Sequence, residues 1–369
     1  MRTKVIAFYL PQFHAIPEND EWWGKGFTDW TNVGKARPLY DGHRQPRVPL
    51  AGYYDLSDVE VMRWQADLAK QYDVAGFCFY HYWFCGKMLL EKPAEQLLQH
   101  SDIDMPFCFS WANEPWARTW DGKGHQVLMP QDYSSHDDWE RHFQYLLPFF
   151  RDPRYIRVDG APMFLIYKSR SIPDCGDMMN LWIRLEREAG LPGIHFVQTI
   201  RENQLDERPL PFSANAEFEP ARSIRLQGTA TLQWQRVRRM VLRCLNKCLG
   251  LRLHTNALIP FRKMAQLSLS TDSPAQTYGG VFAGWDNSPR RDTDATIILP
   301  PSKEEFADYL RAKIRQTRDV YHTDTIFINA WNEWAEGTYL EPDQDNSYTY
   351  LEAIRDVVRE TGPQNTDNP

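Results

Sequence analysis

Eight short apolar runs, rich in β-branched and aromatic residues, punctuate this chain with segments of helical periodicity between them. They are Lys4–Tyr9, Val74–Tyr80, Pro106–Trp111, Pro162–Tyr167, Ile194–Thr199, Ser213–Phe218, Gly279–Ala283 and Thr325–Ala330. Helical patterns fall at Asp58–Tyr72, with Asp55 or Ser57 as cap, then at Glu91–His100, His136–Phe150, Asp177–Ala189, Ser302–Thr317 and Asp345–Glu360. Strand and helix in alternation mark a parallel α/β protein. Eight strands is the number that closes a sheet without edges, so the expected fold is a (β/α)8 barrel, with an open doubly wound sheet as its competitor. No strand is followed by G-x-G-x-x-G or G-x-x-x-x-G-K-[ST], which leaves a Rossmann or P-loop reading without a phosphate-binding turn. At 369 residues the chain reads as a single catalytic barrel over residues 1–369. Long loops follow strand 1 (Pro11–Asp55) and strand 6, the latter holding a basic helical insertion around residues 221–258.

In such a barrel the functional side chains come from the C-terminal ends of the strands and the loops beyond them. Those are the places where this sequence gathers polar and aromatic residues. Strand 1 runs into Gln12 and His14, strand 2 into His81, Tyr82 and Trp83, and strand 3 into Trp111, Asn113, Glu114 and Trp116. Strand 4 ends in Tyr167 and Lys168, strand 6 in Glu217, and strand 7 in Trp285 and Asp286. Strand 8 delivers Trp331, Asn332, Glu333, Trp334 and Glu336. Fourteen Trp, many beside His, Asn, Asp or Glu, suit a sugar site: an indole face covers the apolar face of a pyranose while polar neighbours pair with its hydroxyls. A Trp-rich core is the plainer explanation for any single one.

The strongest local pattern is WNEWAEGTYLEP, Trp331 to Pro342. Glu333 and Glu336 stand three residues apart after a strand, and Gly337 allows a sharp turn beside them. Cleavage of a glycosidic bond requires two carboxyl groups, one donating a proton to the departing oxygen and one managing the opposing proton or carbon. Burial and mutual repulsion would keep one of the two protonated near neutrality. Glu114 with Glu217 is a second candidate pair, and a Glu that only caps the following turn is the structural alternative. No metal or cofactor is expected: Cys244 and Cys248 lack partners to complete a zinc site, and the six cysteines read as reduced thiols.

With those residues in view, a family resemblance enters. The run N-E-W-x-E-G-T-x-x-E, Asn332 to Glu341, resembles the catalytic segment of glycoside hydrolase family 99, the endo-acting α-mannosidases and mannanases. Phe8–Val33, Gly76–Trp83, FSWANEPW at Phe109–Trp116 and FAGWDNSPR at Phe282–Arg290 are similar to its WbsX-type branch. Proteins of that branch occur in O-antigen and capsule polysaccharide clusters and are often labelled glycosyltransferases. The resemblance spans Lys4 to about Glu360, and the long Gln12–Asp55 loop belongs to the WbsX pattern and not to that of the mannosidases. It implies a retaining reaction through the sugar's own 2-hydroxyl. Glu333 would take that proton as a 1,2-anhydro sugar forms, and Glu336 would protonate the leaving oxygen and later activate water.

The expected activity is therefore a retaining endo-acting glycoside hydrolase on a bacterial polysaccharide or oligosaccharide. The alternatives are a WbsX-type glycosyltransferase or transglycosylase in lipopolysaccharide or capsule biosynthesis and, from a different class, a non-catalytic glycan-binding barrel. A transferase commonly needs a D-x-D metal motif after a strand; Asp102 and Asp104 precede one and read as a helix-to-strand turn. His81, Tyr82, Trp83, Trp111, Asn113, Glu114, Trp116, Tyr167, Glu217, Trp285, Asp286, Trp331, Asn332 and Trp334 are the expected substrate contacts. A net charge of −7 argues against nucleic-acid binding. Ala221–Leu258 departs from that average, with eight Arg or Lys and no Asp or Glu. Within it, Gln233–Leu251 interleaves Trp234, Val237, Met240, Val241, Leu245 and Leu249 with Arg236, Arg238, Arg239, Arg243 and Lys247, a basic amphipathic helix for an anionic membrane face or an anionic glycan. The opening MRTKVIAFYLPQFH lacks a signal-peptide core, so the expected location is cytoplasmic, peripheral to the inner face of the membrane.

Overall fold

A computed structural model describes residues 2–118, 126–201, 205–251, 253 and 255–362, with the side chains of Arg118, Gln126, Thr229, Ala230, Leu232 and Arg236 left aside. Its centre is a closed barrel of eight parallel strands: β1 Lys4–Tyr9, β2 Gly76–Phe84, β3 Phe107–Trp111, β4 Ala161–Ile166, β5 His195–Ile200, β6 Ala214–Glu217, β7 Thr277–Phe282 and β8 Thr325–Asn329. Each strand pairs with the next, and β8 pairs with β1 through Lys4↔Thr325 to Ala7↔Ile328, which removes every edge. This is the (β/α)8 fold expected from the alternation.

Strands buried on both faces read as continuous apolar runs, and side chains along each one alternate between the barrel interior and the helix layer. In the interior, Phe8 packs on Tyr80, Phe218 and Phe327 with ring centroids 5.6, 5.1 and 5.4 Å away, spanning the barrel from β1 to beyond β6. Facing outward, Tyr9 donates a 2.6 Å hydrogen bond to Gln65 of the first helix. The longer helices, of eight residues or more, are α1 Val59–Gln71, α2 Lys92–Gln99, α3 His136–Arg151, α4 Cys175–Glu188, α5 Thr229–Leu249, α6 Phe261–Ser270, α7 Lys303–Asp319 and α8 Thr349–Thr361. The side chain of Asp58 caps α1, in place of the expected Asp55 or Ser57; Asp55 instead accepts from the Ser57 amide in the turn before it. Ser302 and Glu305 form a reciprocal capping box on α7.

Two departures from the sequence reading bear on the site. Strand β2 runs past Tyr80 to Phe84 and folds back on Lys87–Leu89, so His81, Tyr82 and Trp83 lie within extended backbone and alternate sides. The excursion after β1 carries two short helices, Pro17–Trp23 and Trp30–Gly34, which place Trp22, Trp23, Phe27 and Asp29 at the C-terminal mouth of the barrel. Asp102 and Asp104 lie just before β3, at the opposite end, where they pair with Arg63 and Lys70 of α1.

Candidate active site

The C-terminal ends of the strands open into a cleft of about 800 Å³, a size suited to a small-molecule or oligosaccharide ligand. Tyr82, Glu114, Trp116, Tyr167, Trp285, Glu333 and Glu336 line it. The loop after β1 adds Trp22, Trp23 and Phe27, and the segments after β5 and β7 add Arg201 and Arg290. Trp116 sits edge-on to both Trp22 and Tyr82, at 5.8 and 5.2 Å, so the aromatic wall is continuous across three segments of chain.

Glu333 and Glu336 reach this cleft from one tight hairpin. Asn332–Glu333 pairs antiparallel with Thr338–Tyr339, and a single turn over Trp334–Glu336 ends at Gly337. Gly337 adopts φ +60°, and a Cβ there would stand 2.6 Å from Asp286 Cβ, so both conformation and space demand glycine. Arg290 bridges the pair. Its guanidinium donates to Glu336 Oε1 at 2.6 Å and to Asp29 Oδ2 at 2.7 Å, and lies 3.7 Å from Glu333 Oε2.

The two glutamates are not equivalent. Glu333 Oε2 is buried and has no hydrogen-bond partner among the described residues. Burial, and then the charge of Glu336, push Glu333 well above the usual carboxylate range, with Arg290 opposing. Burial also raises Glu336, though its direct bond to Arg290 pulls the other way. Unmet hydrogen-bonding capacity on a buried carboxylate is costly unless a ligand supplies the donor.

Behind the hairpin stands Glu341, to which the residue-by-residue reading gave no role although the family motif contains it. Its carboxylate accepts from Trp331 and Trp334 Nε1 at 3.0 and 2.7 Å, from Tyr54 Oη at 2.7 Å and from Gln65 Nε2 at 2.6 Å. Burial raises it to about 7, held from going further by those four donors. Trp331 and Trp334 are thereby fully buried supports of the hairpin, not cleft walls. Asn332 likewise turns inward and clasps Leu10 at both its N–H and C=O, at 2.7 and 3.0 Å, fastening the end of β8 to the end of β1. Asn113 makes the same two-way clasp with Lys168, at 2.8 and 2.9 Å, joining β3 to β4.

The remaining expected contacts also lie off the cleft surface, and alternation along the strand explains several. Tyr80 and Tyr82 face the cleft, whereas His81 and Trp83 face α3. There His81 sits 2.7 Å from His142, whose ring stacks on Trp83, and burial lowers the His81 pKa to about 3, leaving it neutral. Trp111 points to the same layer and donates to the Trp83 carbonyl at 3.2 Å. Glu217 faces α7 and is fully buried. Lys313, Arg222, Ser273, Tyr321 and the Gly280 amide all donate to it, which removes the Glu114–Glu217 pair as a shared cleft feature. Asp286 lies under Gly337, where His43 and Gln45 each bond it at 2.7 Å. Although burial alone would raise its pKa, the bonds from His43 and Ser288 hold it below the usual aspartate value.

Asp29, Arg290, Arg201 and the Trp22–Phe27 wall were not singled out from sequence. Arg201 lies over the Tyr167 ring at 4.2 Å and donates to Glu114 at 3.0 Å. All but Arg201 had a signal: Arg290 ends the FAGWDNSPR motif, and Asp29 and the Trp22–Phe27 wall lie in the opening Phe8–Val33 run. Nothing in one sequence announces that residues 261 positions apart form an ion pair.

Comparison with known proteins follows the same lines as the geometry. Residues 5–354 match the sequence profile of the family described as Glycosyltransferase WbsX. The protein WxcX of Xanthomonas campestris pv. campestris is 40% identical over 358 residues, which is 96% of this chain and 49% of WxcX, so the chain spans about half the length of that relative. Among solved structures, the GH99 endo-alpha-mannosidase from Bacteroides thetaiotaomicron superposes with a TM-score of 0.54 at 16% identity, covering 96% of each chain. A glycoside hydrolase-like protein superposes with a TM-score of 0.60 at 12% identity, covering 97% of this chain and 94% of that one. At those identities the structural likeness concerns the barrel fold.

Proposed function

Because the chain belongs to the Glycosyltransferase WbsX family, we propose that it is a carbohydrate-active enzyme, a single catalytic barrel that cleaves an internal glycosidic bond of a polysaccharide or oligosaccharide with retention. The observation that carries this reading is the placement of Glu333 and Glu336 at the tip of one hairpin, in one aromatic cleft, on either side of Arg290.

The orphaned Glu333 Oε2 is suited to accept a sugar hydroxyl. A hydroxyl donating there favours the ionised form, so substrate binding itself would release the resting proton of Glu333 to solvent and leave it a base. Glu333 then takes the 2-hydroxyl proton while the 2-oxygen bonds C1, and the C1–oxygen bond to the leaving sugar breaks. Glu336, raised by burial, gives its proton to that departing oxygen. In the second half Glu336 removes a proton from water, the water oxygen bonds C1, the three-membered ring opens, and Glu333 returns the proton to the 2-oxygen. Both carboxyl groups end in their starting forms. The GH99 structural neighbour is an endo-alpha-mannosidase by name, which supports internal cleavage as the reaction class and leaves the sugar to the WbsX-specific loop after β1.

The family description favours a second reading in which another sugar hydroxyl, and not water, opens the anhydro ring. One experiment separates them: the source strain's surface polysaccharide is incubated with the protein, with and without a nucleotide sugar, and chain length is followed by mass spectrometry. Shortening without nucleotide sugar is the expected result. Growth that depends on the nucleotide sugar would replace hydrolysis by transfer, and no change in either arm would end the enzymatic reading.

A further inference from the structure

Helix α5 is amphipathic in an inverted sense. Gln235, Arg239, Leu242, Leu245 and Asn246 face the body of the protein and are half-buried. Arg239 donates to Thr296 Oγ1 and the Ala295 carbonyl at 3.1 and 3.3 Å, and Asn246 exchanges two hydrogen bonds with Leu253. The opposite side, which meets solvent, is the apolar one. Trp234, Val237, Met240 and Val241 are 65, 54, 59 and 48% exposed. At positions 234, 237, 241, 244 and 248 the spacing of three and four residues puts Trp, Val, Val, Cys and Cys on one stripe. An amphipathic helix packed on a barrel normally does the reverse, turning its apolar stripe inward.

Polar fastening with apolar display leaves the stripe in need of a partner, and the charges around it select which. Arg238 and Lys247 flank the stripe, both exposed, with Arg243 beside them paired to Asp294, and no Asp or Glu occurs from Ala221 to Leu258. A second copy of the same face would set cation against cation, with only Asp294, already shared by Arg239 and Arg243, to offset them. A bilayer carrying anionic headgroups supplies an apolar boundary and negative charge together. We propose that α5 docks the protein on an anionic membrane surface, lying in the interface with Trp234, Val237 and Val241 inserted. Among the described residues no helix is long and apolar enough to cross a membrane, so the contact is peripheral.

The position of α5 gives docking a consequence. Its contact with Thr296 puts it against a residue of the cleft wall, so a docked bilayer lies beside the cleft mouth and the glycan would be presented on a lipid. That consequence rests on the proposed glycan activity; docking itself does not.

Co-sedimentation of the full chain with vesicles tests docking without any catalytic readout. The chain should pellet with phosphatidylcholine vesicles that contain phosphatidylglycerol, should not pellet with phosphatidylcholine alone, and should be released by added salt. The Trp234→Glu/Val241→Glu double variant should bind at least about tenfold more weakly while melting like the wild type, because both side chains are solvent-exposed. Absence of binding to the anionic vesicles, or equal binding by the variant, would overturn the proposal. So would a dimer in solution that the double variant converts to monomer, since a second copy would then cover the stripe.

Discussion

Glu217 and Glu333 both stand at the C-terminal ends of barrel strands, both are buried, and their surroundings give them opposite characters. Glu217 collects five donors, two of them the cations Lys313 and Arg222, and although burial alone would raise its pKa those cations hold it below the usual value. Among the described residues Glu333 has one cation at 3.7 Å, shared with two other carboxylates, and one oxygen with no partner, so burial drives it upward. A buried carboxylate saturated with donors is scaffold. One left short of donors is poised to take a proton or a hydroxyl. Glu341 falls between them: four neutral donors satisfy its oxygens, but no cation offsets burial and it is raised to about 7.

That contrast breaks most sharply by substitution at its two poles. Glu333→Gln and Glu336→Gln should each lower turnover of the glycan by roughly 10²–10⁴-fold with an unchanged melting transition; full activity in either variant would show that the unsatisfied pole is not the reactive one. Glu217→Leu should do the reverse, costing about 3–5 kcal/mol of stability because Lys313 and Arg222 are left as uncompensated buried charges. Denaturant titration reads it, and a loss below about 1 kcal/mol would refute the scaffold role.

Glu341 sharpens the comparison through pH. Its folded pKa of about 7 lies above the 4.5 of the unfolded chain, so the folded state holds the extra proton and Glu341 contributes fully only below about pH 4.5. That contribution is lost as pH rises through about 7, and the shift corresponds to about 3 kcal/mol. Glu341→Gln has no such proton to lose. Its stability deficit against the wild type should therefore be largest in acid and shrink toward neutrality, and a deficit constant with pH in parallel melts would contradict the assignment. The smallest expected effect belongs to the cleft wall: Trp116→Ala should weaken glycan binding by a few fold to about tenfold, seen as a rise in KM or Kd with little change in kcat.

Much of the barrel is legible in the chain because burial on both faces makes its strands conspicuous. All eight apolar runs became barrel strands, with ends moved by a few residues. The candidate site was legible at coarser grain. Clustering at strand ends drew attention to the rim where the cleft opens, yet His81, Trp83, Trp111 and Glu217 lie on its outer side and Tyr82, Glu114 and Trp116 on its inner side. Along β2 and β3 the period of two would have separated them had the strands been drawn to their full length. At the end of β8 it would not: Phe327 faces the barrel interior but Trp331 packs outward on Phe77, because the backbone leaves the extended state between them.

Neighbouring residues alone specify the parallel barrel, the rim where polar side chains gather and the hairpin that offers two glutamates three residues apart. Those are local properties: periodicity, propensity and a glycine at a turn are written in neighbouring residues. Which buried carboxylate is saturated with donors and which is left short of them was settled by the folded neighbours, since the donors come from afar. Lys313 reaches Glu217 across 96 residues, while Asp29, 261 residues from Arg290, takes a share of the cation that lies near Glu333. Burial raises the pKa of any carboxylate, and the folded neighbours that arrive or fail to arrive settle how far.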